Sequence, residues 1–322
     1  MNCNFILSSM GHLRYFIPLT NYLNGIGYRS RYFYSSKEKY DSPTNRLGLL
    51  RGISEKESFE LHEIGKLNKC PSDFTFLVEG GNRDRILYKT RKISFTCQTD
   101  FQIHYPKYVN DMNDVIFPSK YFAEYYGMVN KKNMYLGSPK YDIKFDRAEI
   151  LEKYKLKGDK FALVLFPRVR DLGKVDLKSI YKILNDDGYT VILKTRGKEP
   201  ADEGVRPSYY FEDEDWYPHP TMEFIEISDI VVNFGSTAIK ECVLLKTPLV
   251  DFDIKPFKTP MDFLYKYDYC KNLGKTLESR SFSKAIDELS SMELDSEFKK
   301  AMDAHLFSPG NVSAAIEKEC LK

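Results

Sequence analysis

Short apolar runs alternate with amphipathic stretches along nearly the whole of this 322-residue chain. Residues 74–78 form a short apolar run typical of a buried strand, whereas residues 13–24 carry apolar side chains at helical spacing. Strands that are separated by helices pair in parallel through right-handed crossovers. This alternation therefore predicts an α/β fold built on doubly wound, Rossmann-like parallel sheets.

The alternation occurs in two successive series, which predicts two domains facing a cleft. Strands are predicted at 4–8, 31–34, 74–78, 93–97, 114–117, 161–166, 190–194, 230–233 and 249–252, and helices at 13–24, after Ser119, and at 175–184, 237–245, 281–289 and 312–320. A Gly-Ser-Pro break at 137–139 separates the series, because proline and its predecessor resist helix. We predict domains at 1–140 and 141–306, with a helical segment at 307–322 that returns to the first domain.

Composition excludes several classes of protein. The net charge of +2 disfavours a non-specific nucleic-acid binder, and no apolar run approaches the roughly 18 residues that would span a membrane. The six cysteines form no CxxC pair and the five histidines no HxH pair, so we expect reduced thiols and no metal site. The first residues lack a basic leader and read as a strand, which predicts a cytoplasmic protein.

The segment 228–241 carries the strongest functional signal. An apolar strand runs into Gly235, Ser236 and Thr237, where a helix is predicted to start. Backbone N–H groups and hydroxyls at such a position bind phosphate. Glu241 follows about one helical turn later, where a carboxylate can bind ribose hydroxyls. The alternative is an ordinary capped turn with a solvated glutamate.

Residues 228–251 resemble the donor-binding segment of the GT-B glycosyltransferases, which have two facing Rossmann-like domains. The opening stretch 8–12 (SSMGH), the hinge-like stretch 135–142 (YLGSPKYD) and the terminal stretch 309–316 (PGNVSAAI) resemble GT-B segments in the same order. The hinge-like stretch is also similar to that of CDP-glycerol glycerophosphotransferases and UDP-N-acetylglucosamine 2-epimerases. The resemblance implies a nucleotide-sugar donor, expected to be UDP-linked, held by the second domain without any cofactor.

Further donor-site residues are predicted at strand ends of the second domain, where ligands bind in open α/β sheets, and in the loop where this fold usually cradles the base. These residues are Arg168, Arg170, Lys194, Arg196, Tyr217 and His219. The guanidinium groups would neutralise a diphosphate leaving group, and Tyr217 or His219 would stack on the base. Each also reads as an ordinary surface residue.

Three side chains of the first domain are candidates for the catalytic base. His12 follows Gly11 in the loop after the first strand, and in some GT-B families a histidine there deprotonates the acceptor hydroxyl. Histidine suits this role because its ordinary pKa lies near neutrality. Asp100 ranks second and Glu79 third, each after a predicted strand. The alternative for His12 is a residue that only caps the following helix.

The predicted function is metal-independent transfer of a sugar from a nucleotide-diphosphate sugar to an acceptor hydroxyl. The acceptor, whether polysaccharide, protein or modified nucleic acid, is left open, as is the oligomeric state. Alternatives are a CDP-glycerol-type glycerophosphotransferase, a UDP-GlcNAc 2-epimerase-like enzyme, or a non-catalytic GT-B module that binds nucleotide or glycan. The epimerase is disfavoured because 79–81, 98–101 and 166–171 lack the acids and histidine that the epimerase motifs carry there.

Overall fold

A computed structural model describes residues 1–35, 41–42, 45–96, 105–167, 175–195, 207–211, 220–254, 264–274, 278–303 and 311–322. It divides into two compact units. Unit 1 comprises Met1–Lys144 and Ala304–Lys322, and unit 2 comprises Phe145–Asp303. Each unit is built on its own parallel sheet, which confirms the predicted fold class of two Rossmann-like α/β domains.

Unit 1 contains a seven-stranded parallel sheet. The seven strands of this sheet are β1 (Asn2–Leu7), β2 (Arg29–Tyr34), β5 (Glu60–Glu63), β6 (Phe74–Val78), β7 (Arg91–Phe95), β8 (Asp114–Ile116) and β9 (Asn133–Met134). The unit also contains the two short strands β3 (Asp41–Ser42) and β4 (Asn45–Arg46). Its first four helices are α1 (Leu13–Gly25), α2 (Leu47–Lys56), α3 (Tyr105–Tyr108) and α4 (Lys120–Tyr125). The strand order is β5-β2-β1-β6-β7-β8-β9, and β3 and β4 form a separate antiparallel pair.

Aromatic packing fills the centre of unit 1. The Phe5 ring of β1 stacks on Tyr32 of β2 at 5.1 Å and on Phe76 of β6 at 4.8 Å between centroids. Phe16 of α1 lies 5.2 Å from the Phe5 ring. All four side chains are fully buried. The central strands are therefore fixed beneath α1, which places their carboxyl ends side by side.

Unit 2 contains a six-stranded parallel sheet. Its strands are β10 (Phe161–Leu165), β11 (Thr190–Lys194), β12 (Tyr209–Phe211), β13 (Ile230–Asn233), β14 (Leu249–Asp251) and β15 (Cys270–Asn272), in the order β12-β11-β10-β13-β14-β15. Its helices are α5 (Arg147–Lys153), α6 (Leu177–Asp186), α7 (Pro220–Ile227), α8 (Ile239–Leu244), α9 (Ser279–Ser291) and α10 (Asp295–Ala301). The register places Asn233 directly beside Asp251.

The last helix, α11 (Val312–Cys320), is anchored in unit 1 by one carboxylate. Asp142 accepts hydrogen bonds from the backbone N–H groups of Val312 and Ser313, each at 2.8 Å, and from the Ser313 hydroxyl at 2.5 Å. Asn311 caps the same helix by accepting from the Ala314 N–H at 3.0 Å. A carboxylate suits this position because the first N–H groups of a helix have no partner within the helix.

The predicted helix after Ser119 is confirmed as α4. The Ser119 hydroxyl accepts from the Phe122 N–H at 3.1 Å, which is the expected cap, and Phe122 is buried. Tyr125, the last residue of α4, is 42 % exposed. Within the described ranges, no helix has the length and apolar character needed to cross a membrane.

Candidate functional site

The turn that follows β13 is organised by side chains from two neighbouring strands. Gly235 adopts a left-handed conformation with φ of +63°, and its N–H donates to Oδ1 of Asp251 at 3.1 Å. Asn233 donates from Nδ2 to the carbonyl oxygen of Ser236 at 3.2 Å and, through a short hydrogen bond, to the same Oδ1 of Asp251. The backbone between Asn233 and Ser236, called the donor turn below, is thus held from beneath.

Asp251 is a functional candidate that the sequence analysis missed. It ends β14, is fully buried, and accepts from the Tyr265 hydroxyl at 2.6 Å on its other oxygen. Burial raises the pKa of this carboxyl from 3.8 to about 6, although its hydrogen bonds with Tyr265, Gly235 and Asn233 act in the opposite direction. The only sequence signal was an acidic residue ending an apolar strand.

The donor turn presents backbone donors without protein acceptors. Among the residues that the structure describes, no acceptor is found for the backbone N–H groups of Ser236 and Thr237. Ser236 is partly exposed and Thr237 exposed, so both lie where a ligand can reach them. The Ser236 hydroxyl accepts from the Ala238 N–H at 3.4 Å. Two adjacent amides and two hydroxyls form a concentrated set of donors for an anion.

The helix after this turn begins later than predicted. The expected helix at 237–245 is observed as the six-residue α8. The residues before it form turns with hydrogen bonds between residues three apart, instead of the four of an α-helix. Ile239 donates to the Ser236 carbonyl at 3.5 Å and Lys240 to the Thr237 carbonyl at 3.2 Å, each spanning three residues. An anion at this turn would therefore be bound by the turn amides and hydroxyls more than by a helix dipole.

Glu241 lies in α8 but is less accessible than a ribose-binding residue needs. Its side chain is 4 % exposed and its neighbour Lys240 is 5 % exposed, and neither is without a partner. Two adjacent buried ionisable residues are uncommon and require compensating contacts. The predicted ribose contact of Glu241 stays a prediction, and it requires the groups that bury this residue to move aside.

The other predicted donor residues have different outcomes. Lys194, at the end of β11, is 4 % exposed, and its ammonium donates to the Thr195 carbonyl at 2.6 Å. That contact fits a structural cation as well as a phosphate ligand. The remaining donor candidates lie outside the described residues: Arg168, Arg170, Arg196, Tyr217 and His219.

In unit 1, the loop after β1 holds His12 in a defined orientation. Nδ1 of His12 accepts from the Ser8 backbone N–H at 3.4 Å, and the ring meets Phe16 edge-on at 6.1 Å. Gly11 donates from its N–H to the Ser9 hydroxyl at 3.3 Å. Because Nδ1 accepts, the neutral ring carries its proton on Nε2, which is then a hydrogen-bond donor.

Glu79 begins a tight turn after β6 that contacts the His12 loop. Glu79, Gly80 and Asn82 all have left-handed φ values, at +54°, +64° and +60°. Asn82 donates from Nδ2 to the Ser8 hydroxyl at 2.7 Å. The Ser8 residue thus connects the loop of His12 to the turn of Glu79. Strained backbone of this kind is concentrated at functional sites.

The glycines of this turn have no room for a side chain. A Cβ on Gly80 would lie 2.5 Å from Cβ of Tyr108, and one on Gly81 would lie 2.6 Å from Oγ of Ser8.

Two of the three candidate bases, His12 and Glu79, are brought to the same edge of the unit 1 sheet by the contacts of Ser8. Asp100 lies outside the described residues, where no contact is given. Across the described ranges, no group of three His, Cys, Asp or Glu residues is placed to hold a metal ion.

Comparison with known proteins identifies the fold. No family model and no curated protein matches the chain. The chain is similar to the UDP-GlcNAc 2-epimerase of Neisseria meningitidis bound to UDP-GlcNAc (TM-score 0.69, 12 % identity, 100 % of both chains) and to the glycotransferase of kitacinnamycin (0.67, 13 %, 98 % of this chain and 97 % of that one). It is also similar to the wall teichoic acid polymerase TagF (0.66, 14 %, 98 % and 87 %). The chain thus has the fold shared by GT-B glycosyltransferases and UDP-GlcNAc 2-epimerases.

Proposed function

We propose that this chain is a glycosyltransferase that moves a sugar from a nucleotide-diphosphate sugar to an acceptor hydroxyl. The observation that carries the proposal is the donor turn, whose Ser236 and Thr237 amides point to no acceptor among the described residues in a chain of GT-B fold. Such a turn supplies donors for a diphosphate without adding charge. The epimerase and the teichoic acid polymerase with similar folds make a sugar nucleotide or a related activated donor the leading ligand class.

On the donor side, unit 2 would bind the diphosphate and stabilise it as it leaves. Negative charge grows on the bridging oxygen as the bond to the sugar breaks, and fixed N–H donors stabilise that charge without reorganisation. Ser236 and Thr237 would supply these donors, with Arg168 and Arg170 assigned to the same diphosphate. Glu241 is assigned to the ribose.

On the acceptor side, unit 1 would deprotonate the attacking hydroxyl. The hydrogen bond from Ser8 to Nδ1 implies that neutral His12 carries its proton on Nε2, so His12 takes a proton at Nε2 only after that bond is given up. The carboxylate of Glu79 accepts a proton without any such change. We therefore assign His12 the role of orienting a substrate oxygen, with Glu79 or Asp100 as the candidate that receives the proton.

The test is the product released from activated donors. The purified chain is incubated with UDP-linked sugars and CDP-glycerol, with water and a panel of glycans as acceptors. Release of UDP supports glycosyl transfer, and release of CMP supports glycerophosphate transfer instead. Conversion of the sugar without nucleotide release indicates epimerisation, and binding without turnover indicates a non-catalytic module.

A site variant ties the activity to the donor turn. The double substitution Ser236→Ala with Thr237→Ala removes both hydroxyls and is expected to slow UDP release about tenfold or more. Ser291→Ala is the matched control, because that hydroxyl caps α9 by donating to the Glu288 carbonyl at 2.9 Å and is exposed. Equal rates for all three proteins would show that the two hydroxyls contribute nothing to donor binding or release.

A further inference from the structure

Asp251 occupies an unusual place for a carboxylate. It is fully buried, yet three donors meet its two oxygens: Asn233 and Gly235 on Oδ1, and Tyr265 on Oδ2. Two of these donors belong to the donor turn itself. A salt-bridge partner is not needed to explain the burial, since a carboxylate is satisfied by several hydrogen bonds to its charged form.

We propose that Asp251 is a positioning residue, whose ionised carboxylate fixes the donor turn in the shape that binds a sugar nucleotide, so that donor affinity falls when the carboxylate is neutralised. The inference rests on the proposed function, since it concerns the same donor. It adds a residue that touches no substrate and acts only through the turn.

The physical reason lies in the number of acceptors. An ionised carboxylate offers only acceptors, which is what three converging donors require, and bonds to a charged oxygen are about twice as strong as neutral ones. A protonated carboxyl turns one oxygen into a donor and weakens the rest. The orientation of the Asn233 amide therefore depends on the two bonds that its Nδ2 donates, to Asp251 and to the Ser236 carbonyl. Its own Oδ1 is buried without a partner in the described structure.

The surroundings of Asp251 place this change within an accessible pH range. Burial raises its pKa to about 6, and the neighbouring charge of Asp253 acts in the same direction. The thiols of Cys242 and Cys270 also face this carboxylate, but burial raises the pKa of both well above the usual range, so they stay neutral. Asp251 is therefore mostly ionised at pH 7.5 and mostly neutral at pH 5.

The test measures the Kd for UDP-GlcNAc by calorimetry between pH 7.5 and pH 5.0. This probe is chosen because a sugar nucleotide has no terminal phosphate, whose second pKa of about 6 would confuse the profile. For the wild-type chain the Kd is expected to rise about tenfold at pH 5, as the binding-competent fraction falls to about a tenth. Asp251→Asn mimics the neutral form and should bind about tenfold more weakly at pH 7.5, with little dependence on pH.

The control is the same substitution at the opposite end of the neighbouring strand. Asp229 precedes β13 and accepts from the Phe161 N–H at 2.7 Å, so Asp229→Asn changes charge in the same sheet but away from the turn. It should keep the wild-type pH profile. A profile that is also flattened in Asp229→Asn would overturn the proposal, since it would make the effect one of general stability.

A second variant keeps the proposal testable if Asp251→Asn does not fold. Tyr265→Phe removes a hydrogen bond that favours the ionised form, so the midpoint of the wild-type pH profile should move to higher pH. A wild-type Kd that is constant from pH 5 to 7.5, or a wild-type profile in Asp251→Asn, would refute the positioning role while leaving the proposed function intact. If the wild-type chain binds no sugar nucleotide at pH 7.5, the proposed function fails instead.

Discussion

The carboxyl edges of the two sheets are built by opposite means. In unit 2, a buried carboxylate, Asp251, holds the donor turn through hydrogen bonds to Asn233 and Gly235. In unit 1, the turn that begins at Glu79 is held by close packing of glycine against Tyr108 and by neutral hydroxyls. The first edge presents backbone amides, and the second presents a histidine and a carboxylate.

Under the proposed function, this difference assigns donor binding to unit 2 and proton transfer to unit 1. Fixed amides suit the binding of an anionic donor, because they need no proton transfer. A histidine and a glutamate on strained loops suit proton transfer, because their protonation states change during a reaction. Substitutions at the two edges should therefore affect different quantities, which the following predictions use.

The largest effect is expected at His12. His12→Ala should lower turnover by about 10²–10⁴-fold while leaving the Kd for the donor nearly unchanged, because the proposed function assigns this residue to the acceptor side. His12→Gln separates two roles, since its amide N–H replaces an Nε2 donor but accepts no proton. Retained turnover in His12→Gln is expected if His12 acts only as a hydrogen-bond donor at Nε2. Equal loss in both variants would restore His12 as the base, and unchanged turnover in His12→Ala would show that His12 neither orients nor deprotonates the acceptor.

The second effect concerns the packing of the unit 1 turn. Gly80→Ala places a Cβ 2.5 Å from Tyr108 at a φ of +64°, so we expect a loss of about 2–4 kcal/mol in the free energy of unfolding. Gly188→Ala is the matched control, because Gly188 has a φ of +80° with no atom within 4 Å of the added Cβ. It should cost about 1 kcal/mol from backbone strain alone. Denaturant unfolding measures both, and similar losses would show that packing does not shape this turn.

The third effect is a pH dependence of stability that belongs to unit 2. The pKa of Asp251 is raised from 3.8 to about 6 on folding, so the folded state binds more protons between these values. Stability from this group is therefore present at low pH and is lost as the pH rises through about 6, by up to about 3 kcal/mol. Asp251→Asn should lack this loss when unfolding is compared at pH 4 and pH 7. A parallel pH dependence in the two proteins would contradict the assignment.

The smallest effect is expected at Glu241. Glu241→Ala should weaken binding of a UDP-sugar by about 1.5–3 kcal/mol, the range for hydrogen bonds to a charged group, without changing the turnover of bound donor. Calorimetry measures the Kd, and a single-turnover assay measures the chemistry. Unchanged affinity would identify Glu241 as a structural residue of α8, in agreement with its burial.

The sequence best predicted the elements whose apolar patterns have clear ends. Four predicted segments match the observed β6, β11, β13 and α11 at both ends, because their apolar patterns are clearly bounded. The half-buried β5 was not predicted, since it shows neither alternation nor a continuous apolar run. Local pattern thus suffices where an apolar run or a helical apolar spacing has clear ends.

The candidate site was only partly predictable, because its decisive contacts are distant in sequence. Gly235, Ser236 and Thr237 were found from the strand that precedes them. Asp251 was missed because its role depends on a strand register that pairs it with Asn233, 18 residues earlier. The left-handed backbone of Glu79 carries no sequence signal, since glutamate rarely adopts it.

A crystal structure with a bound UDP-sugar is the decisive test of whether the turn after β13 binds the donor, because it locates the donor without relying on activity. If the turn after β13 binds the donor, diphosphate oxygens are expected at about 3 Å from the backbone N–H groups of Ser236 and Thr237, with Asp251 still bonded to Gly235 beneath the turn. A nucleotide bound away from the turn after β13, with those amides facing solvent, would contradict it.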